Sequence, residues 1–265
     1  MTKREFLKNL IVFLPCAGAA GALVCGADAE EKGKHPPVGK SGPGELNPYG
    51  SYDPSSHNYG MGIEIDKCIG CSRCVEACKT ENKVPKVPYF FRTWVERYVI
   101  NADHEVTVEC INVQREGAKE LASEGREVLR SFFVPKLCNQ CANPPCVQVC
   151  PVGATFQTKD GVILVDDKRC VGCRYCIQAC PYGARYLHPE KGTADKCTFC
   201  YHRIVKGLLP ACVEVCPTQA RIFGDMSSKA SRLVRFHRMN KVHVLKPDLN
   251  TEPKVYYAQL DGEVR

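Results

Sequence analysis

One cysteine-rich segment of the sequence reads Cys170-Val171-Gly172-Cys173-Arg174-Tyr175-Cys176-Ile177-Gln178-Ala179-Cys180-Pro181. Its four cysteines have the spacing C-x2-C-x2-C-x3-C, and a proline follows directly. Two C-x2 steps wrap a loop around an iron–sulfur cubane and present three thiolates to it. The fourth cysteine lies on the short helix that follows and faces away, toward a neighbouring cluster. The proline ends that helix without leaving an unpaired N–H group.

The motif occurs four times, so the chain contains an internal repeat. Groups one and three have the spacing of bacterial two-cluster ferredoxins. Groups two and four widen the gap before the third cysteine, and Lys79 replaces the closing proline in group one. The groups are Cys68, Cys71, Cys74 and Cys78; Cys138, Cys141, Cys146 and Cys150; Cys170, Cys173, Cys176 and Cys180; and Cys197, Cys200, Cys212 and Cys216.

Other uses of cysteine explain this pattern less well. Zinc ribbons need only C-x2-C pairs, without triplets or a Cys-Pro closure, so a zinc-structural or metal-storage protein is an alternative that the colour of the protein would exclude. Cysteines two residues apart pair poorly as disulfides. A radical enzyme leaves one iron of its cluster without a cysteine, whereas every group here has its fourth cysteine. The pattern therefore favours electron transfer over catalysis at a cluster.

Composition supports a folded protein with an unusual cofactor load. The chain has 265 residues, of which 44% are hydrophobic and 25% charged, which excludes a polytopic membrane protein and a disordered chain. The net charge is +7. Four cluster sites of about −2 each would nearly cancel it, so we predict no nucleic-acid partner. Nineteen cysteines are present, and the three outside the groups are not predicted ligands: Cys16, Cys25 and Cys110.

Residues 1–29 are predicted to be an export signal. Lys3 and Arg4 precede nineteen residues without charge, from Asn9 to Ala27. The segment Thr2–Lys8 resembles a twin-arginine motif, with Lys3 where the first arginine usually stands. A retained membrane anchor is the alternative, because the uncharged stretch is about long enough to span a bilayer. We expect the protein in the periplasm or on the extracytoplasmic face of the cytoplasmic membrane.

The remaining sequence predicts an α+β fold, rich in loops, with two ferredoxin-like units that bind [4Fe-4S] clusters. Short strands are predicted beside the cysteine groups, at 62–66, 154–157, 162–165, 184–187 and 220–223, the second and third forming a hairpin. Residues 30–60 are predicted to be a linker whose His35 and His57 have no assigned role. The cluster domain spans 61–225, with an insertion at 84–134, and residues 226–265 are predicted to form an extended docking tail.

Several stretches resemble the four-cluster electron-transfer subunits of respiratory oxidoreductases, the iron–sulfur partners of molybdopterin enzymes. The resemblance is greatest to the iron–sulfur subunits of the tetrathionate-reductase type, and it extends to those of formate-dependent nitrite reduction and sulfur metabolism. The stretches are Cys138–Phe156, Cys170–Tyr182, Thr193–Cys197, Leu208–Cys212, Val244–Pro247 and Pro253–Tyr257.

The resemblance implies that the groups pair crosswise around four [4Fe-4S] clusters, since all sixteen cysteines are present. The implied ligands are set A, Cys68, Cys71, Cys74 and Cys216; set B, Cys197, Cys200, Cys212 and Cys78; set C, Cys138, Cys141, Cys146 and Cys180; and set D, Cys170, Cys173, Cys176 and Cys150.

The implied function is electron transfer inside a respiratory complex. The expected partners are a catalytic subunit, often of the molybdopterin type, and a multi-helix membrane subunit that exchanges electrons with quinone. Cytochrome c is a further candidate partner. The sequence contains no phosphate loop and no acid–base constellation, so no catalytic residue is predicted. The alternative is a freestanding soluble polyferredoxin, which would need neither the insertion nor the tail.

Overall fold

The computed structural model describes residues 52–86, 90–112 and 127–264. The predicted export signal lies outside the described residues, as do Cys16, Cys25, His35 and most of the predicted linker.

A four-stranded sheet stands at the centre of the fold, in the order β10-β11-β1-β9. β1 (Tyr59–Glu64) pairs antiparallel with β9 (Arg221–Asp225) and parallel with β11 (Val255–Ala258), while β10 (Val242–His243) pairs with β11. Residues 59–63 of β1 are all buried because the strand is covered on both faces. Gly62 allows close packing there, since a Cβ atom would lie 2.7 Å from the Phe236 ring.

A second sheet of three strands occupies the predicted insertion, in the order β3-β2-β4. Its strands are β2 (Thr93–Asn101), β3 (Val106–Cys110) and β4 (Val128–Leu137). The alternating side chains of residues 94–99 explain β2, because such alternation lets one face of a strand pack inward. β4 leads directly into Cys138, so the insertion positions the first cysteine of group two.

Two short hairpins connect the later cysteine groups. The first joins β5 (Thr155–Gln157) to β6 (Ile163–Val165), as the sequence predicts. The second joins β7 (Arg185–Leu187) to β8 (Ala194–Lys196). β6 leads to group three and β8 leads to group four, so each hairpin fixes the start of a cysteine loop.

The helices of the cluster-binding region are short. They are α1 (Arg73–Asn82), α2 (Pro145–Gln148), α3 (Tyr175–Gln178), α4 (Tyr201–Ile204) and α5 (Ala211–Glu214). Helix α1 has ten residues, whereas α2, α3 and α5 have four each and end before a Cys-Pro pair. Lys79 explains the difference, because a residue with an N–H group lets the helix continue past Cys78 where proline would stop it.

The C-terminal residues are not the extended segment that the sequence predicts for 226–265, whereas their docking role stays a prediction. They form α6 (Arg232–Met239) and the strands β10 and β11 of the central sheet. Val255 and Tyr257 are fully buried, and the Tyr257 hydroxyl donates to the carbonyl of Pro135 at 3.1 Å. The apolar end of the chain pairs with β1 of its own domain, which provides a strand edge that the sequence alone did not reveal.

The predicted linker also needs correction near its end. β1 begins at Tyr59, inside the range assigned to the linker, and the Tyr52 hydroxyl donates to the buried Asp160 carboxylate. His57, which had no assigned role, lies 2.7 Å from the Asp225 carboxylate and stacks between two tyrosine rings. Residues 52–60 are thus packed against the domain.

No helix within the described ranges is both long enough and apolar enough to cross a membrane.

Because the tail completes the sheet, Tyr257→Ala is expected to lower the free energy of unfolding by about 3–5 kcal/mol. Tyr257→Phe removes only the hydrogen bond to Pro135 and should cost about 1 kcal/mol. The control is Leu249→Ala, because Leu249 is an exposed residue of the same segment. Denaturant unfolding followed by circular dichroism measures the three changes. Equal stability of Tyr257→Ala and the control would favour the docking tail after all.

Candidate cluster sites

The four cysteine loops share one backbone conformation. The residue before the second cysteine has a positive φ in every group: Gly70 (69°), Gln140 (47°), Gly172 (69°) and Phe199 (53°). A left-handed residue turns the chain sharply, so successive cysteines face the same centre. Glycine adopts this conformation readily, whereas Gln140 and Phe199 are held in it by their surroundings.

Gln140 shows how this conformation is held. Its side chain is fully buried, donates to the carbonyl of Cys197 at 2.7 Å and accepts from the Ile163 N–H at 2.7 Å. The amide therefore ties the loop of group two to the start of group four and to β6. Sequence reasoning missed this residue because nothing distinguishes it from an ordinary loop glutamine.

The cysteines of set A line one cavity. Cys68, Cys71 and Cys74 come from the loop before α1 and its first turn, and Cys216 follows α5. Burial raises the pKa of Cys68, and the nearby Cys74 and Cys216 sulfurs raise it further. Arg221 also lines this cavity.

The cysteines of set B line a second cavity. Cys78 reaches it from α1, which packs against α5, and the other three belong to group four. The side-chain nitrogen of Asn82 lies 3.6 Å from the Cys78 sulfur and 3.5 Å from the Cys200 sulfur. Cys197 and Cys212 complete the set, and all four of its cysteines are buried.

The cysteines of set C also lie together. Burial raises the pKa of Cys141 to about 12, and repulsion from Cys138, Cys146 and Cys180 contributes to the increase. Cys180 comes from the end of group three, so the structure brings a distant cysteine to the loop of group two. Burial and repulsion by Cys138 likewise raise the pKa of Cys180.

The cysteines of set D belong to the loops around α2 and α3, two helices that pack against each other. Cys176 lies in a buried cluster with Cys146, and Cys170 packs against it. Cys150 follows α2, and its sulfur accepts a hydrogen bond from the Thr155 N–H at 3.4 Å. The structure thus brings Cys170 and Cys176 together, and the grouping of Cys150 and Cys173 with them stays a prediction.

The donors fit a polynuclear centre better than a single ion. Nowhere in the part of the sequence that the structure describes do three or more cysteine, histidine or carboxylate groups lie close enough to hold one metal ion. Sets A and B instead surround cavities. A [4Fe-4S] cube spreads four thiolates over its corners, which suits sets made of cysteine alone. Zinc would draw four sulfurs around one point.

Electrostatics show that these thiolates need positive charge nearby. Burial raises the pKa of Cys197 to about 12, that of Cys212 to about 11, and that of Cys78 well above its usual value. Burial acts in the same direction on Cys150 and Cys216, but hydrogen bonds lower the pKa of each below its usual value: from backbone N–H groups to Cys150, and from the Thr218 hydroxyl and backbone N–H groups to Cys216. Iron would supply the charge that lets all the sulfurs ionise together.

Contacts between neighbouring sets indicate their order. Helix α1 carries Cys74 of set A and Cys78 of set B, and the side chain of Gln140, in the loop of set C, donates to the carbonyl of Cys197 of set B. Cys146 of set C lies in one buried cluster with Cys176 of set D. Arg185 interacts with cysteines of both set C and set D. The sets therefore follow one another as A, B, C and D.

Exposure distinguishes the two ends of this series. Among the cysteines that the structure describes, only Cys71 and Cys173 are exposed, and they belong to sets A and D. They occupy the same position in the repeat, as the second cysteine of their groups. Cys110 lies on β3, partly buried and outside all four sets.

Comparisons with known proteins identify the family of the chain. Residues 67–154 and 129–226 each match a family described as "4Fe-4S dicluster domain". The chain is 47% identical to the B subunit of tetrathionate reductase from Salmonella typhimurium, over 77% of this chain and 74% of that protein. It is 49% identical to the protein of that name from Archaeoglobus fulgidus, over 76% and 81%. It is 40% identical to the B component of polysulfide reductase from Wolinella succinogenes, over 75% and 92%.

The fold and the cysteine sets define an electron-transfer protein that binds [4Fe-4S] clusters in ferredoxin-like units. More particularly, the chain is a member of the family of iron–sulfur subunits of respiratory reductases, which includes these subunits of tetrathionate reductase and polysulfide reductase.

Gly172 adopts a left-handed conformation at a point where there is no room for a side chain. A Cβ atom there would collide with the backbone carbonyl of Gly192. Gly183 also has a positive φ, 60°, but has open space around its Cα. Gly183→Ala should cost about 1–2 kcal/mol of backbone strain alone, and Gly172→Ala should cost more and lower the iron content. Thermal stability and iron per chain measure both. Equal effects would show that the carbonyl contact is unimportant.

Proposed function

We propose that the chain relays single electrons through four [4Fe-4S] clusters between a quinone-interacting membrane subunit and the catalytic subunit of an extracytoplasmic respiratory oxidoreductase. The observation that carries this proposal is the series of sets A to D, with an exposed cysteine in each of the two end sets and no exposed cysteine in sets B and C. Such a series suits directed transfer from one partner to another.

Each set is proposed to hold one cluster, with the cysteines of sets A to D as ligands. The cluster supplies one-electron chemistry when bound. The protein's own residues fix the sulfurs, exclude water from the middle of the series and donate N–H groups to sulfur, as Phe199 does to Cys197 and Ala194 to Cys170, both at 3.4 Å. Such donors help to set a cluster's reduction potential.

The two ends have the character of contact surfaces. Ile69, near Cys71, is 59% exposed, and Val171, near Cys173, is 66% exposed. Exposed apolar residues next to an accessible cysteine ligand suit a surface on which a protein partner binds. A partner bound there would bring its own redox centre close to the cluster of that set. The partners are proposed to bind at these ends.

The relatives' names indicate the type of complex. They are subunits of tetrathionate, polysulfide and selenate reductases. A reductase for an oxidised sulfur compound, with a molybdopterin-type catalytic subunit, is therefore our proposal for this protein, and cytochrome c is a second candidate for the electron-exchanging partner. The described parts of the insertion and of the tail pack into the fold of the domain. Their presence therefore does not exclude the alternative function, a freestanding polyferredoxin.

Export by the twin-arginine route is part of the proposal, since folded clusters must be assembled before transport. The supporting feature is the segment Thr2–Lys8 followed by an uncharged stretch. A reporter fused to Met1–Glu31 should cross the membrane, and Arg4→Gln should stop it. A reporter that stays inside with the wild-type segment would contradict export by this signal.

Ligand crossover predicts the effect of one cysteine substitution. Cys180→Ser should damage the cluster held by Cys138, Cys141 and Cys146 and leave the cluster of group three in place. Cys110→Ser is the control, because Cys110 lies outside the sets. Iron analysis and electron paramagnetic resonance of the reduced protein measure the change. Loss of the set D cluster instead would show that group three binds its cluster with its own fourth cysteine.

Purification of the tagged protein from its native membranes tests the relay. We expect a catalytic subunit and a membrane subunit to co-purify, and quinol to reduce the clusters in the isolated complex. The Cys180→Ser variant should still co-purify, while electron transfer from quinol to the catalytic subunit falls at least tenfold. A protein recovered alone from the soluble fraction, with clusters that accept electrons from soluble donors, would support the freestanding carrier instead.

A further inference from the structure

We propose that three buried cations, Arg221, Lys196 and Arg185, alternate with the four cysteine sets and raise the reduction potentials of the clusters on either side. This inference rests on the proposed function, because the cations act on the clusters that the sets would hold. Arg221 lines the set A cavity and donates to Thr93, which lines the set B cavity. Lys196 donates to the carbonyls of Cys197, in set B, and of Ile163, whose N–H donates to Gln140 in the loop of set C. Arg185 donates to Cys146 of set C, which lies in one buried cluster with Cys176 of set D.

All three side chains are buried without a carboxylate. Arg221 is 2% exposed, Lys196 0% and Arg185 5%. Within the described ranges, no aspartate or glutamate forms an ion pair with any of them, whereas the partly buried Arg92 is paired with Asp195 at 2.7 Å. A buried charge without a counter-charge is strongly unfavourable. The anionic clusters are the counter-charges that the fold provides.

Arg221 lines the set A cavity beside its four cysteines. One terminal nitrogen donates to the Thr93 hydroxyl at 2.8 Å, and the other is buried without a hydrogen-bond partner among the residues described. Burial disfavours the charge, but the Cys74 and Cys212 sulfurs favour it more, so the pKa of Arg221 is raised. The unpartnered nitrogen has a natural acceptor in cluster or cysteine sulfur.

Arg185 makes the same kinds of contact beside sets C and D. It donates to the Thr155 hydroxyl at 3.3 Å and to the Cys146 sulfur at 3.0 Å. Burial again disfavours the charge, and Cys146, Cys138 and Cys176 favour it, which raises the pKa of Arg185.

The two arginines occupy equivalent positions in the repeat. Each stands five residues after the last cysteine of its group, in the same Ala-Arg pair at the start of a strand. Each also donates to a threonine hydroxyl. Sequence analysis placed both residues in strands but missed their role, although the repeated Ala-Arg pair was a visible signal.

Lys196 occupies the central gap. Its ammonium donates to the carbonyl of Cys197 at 2.7 Å and to the carbonyl of Ile163. Burial lowers the pKa of Lys196, although the Cys138 sulfur of set C and the Cys197 sulfur of set B favour its charged form. The lysine therefore lies where the two inner sets meet.

The expected effect follows from charge. Reduction adds one electron to a cluster, taking the site from about −2 to −3, and no proton moves because the arginine stays protonated. A fixed positive charge in a buried region stabilises the more negative state. Each cation should therefore raise the reduction potentials of two consecutive clusters. Reduction then stays favourable at every cluster of the series.

Redox titration of the purified, iron-loaded protein by electron paramagnetic resonance tests this. In Arg221→Met, two of the four midpoint potentials should fall by about 59 mV or more. For a one-electron reduction this is at least a tenfold change in the equilibrium constant. Arg185→Met should lower the other two. Arg221→Lys, which keeps the charge, should restore most of the loss.

The matched control is Arg73→Met, because Arg73 is exposed and adjacent to Cys74. Water screens its charge, so its removal should change the potentials much less. If Arg221→Met loses iron, Arg221→Gln replaces it, since glutamine keeps a donor to Thr93 without the charge. Shifts no larger than the control, or the same clusters shifted by both arginine variants, would overturn the inference. A wild-type protein without four reducible clusters would instead overturn the proposed function.

Discussion

The structure depends on bringing cysteine sulfurs together from distant parts of the sequence against their mutual repulsion. Cys216 reaches Cys68 and Cys74, and Cys78 reaches the cysteines of group four. This crossing is possible because α1 packs against α5 and β1 pairs with β9. The central sheet and cysteine sets A and B therefore both depend on one requirement, that the first and last groups of the repeat meet.

The same requirement explains the polar interior. Backbone N–H groups donate to sulfur at the turns after the last cysteines, and buried cations occupy the gaps between sets. In a soluble domain without clusters, Arg221 and Lys196 would be costly defects. Beside anionic clusters they become part of the stability of the fold and part of its redox chemistry. Structure and electron transfer are thus linked through the same charges.

Local features were predictable from sequence and distant pairings were not. The β5–β6 hairpin follows from two short apolar strands around Lys159-Asp160-Gly161, and the longer α1 follows from Lys79. The alternation at Val255-Tyr256-Tyr257 fits a strand on a partner as well as a strand of the same domain, so the sequence did not reveal that this segment pairs with β1. The left-handed Phe199 and the bridging Gln140 depend on tertiary contacts, which leave no local signal.

The number and type of metal ions per chain tests the central claim most directly. Iron, acid-labile sulfide and zinc should be measured on the purified full-length protein, together with the electron paramagnetic resonance spectrum of the reduced protein. Four sets predict four irons each, about sixteen irons and as many sulfides per chain, with no stoichiometric zinc and with interacting cluster signals. Bound zinc without iron, or iron at half that amount in a fully folded protein, would contradict it.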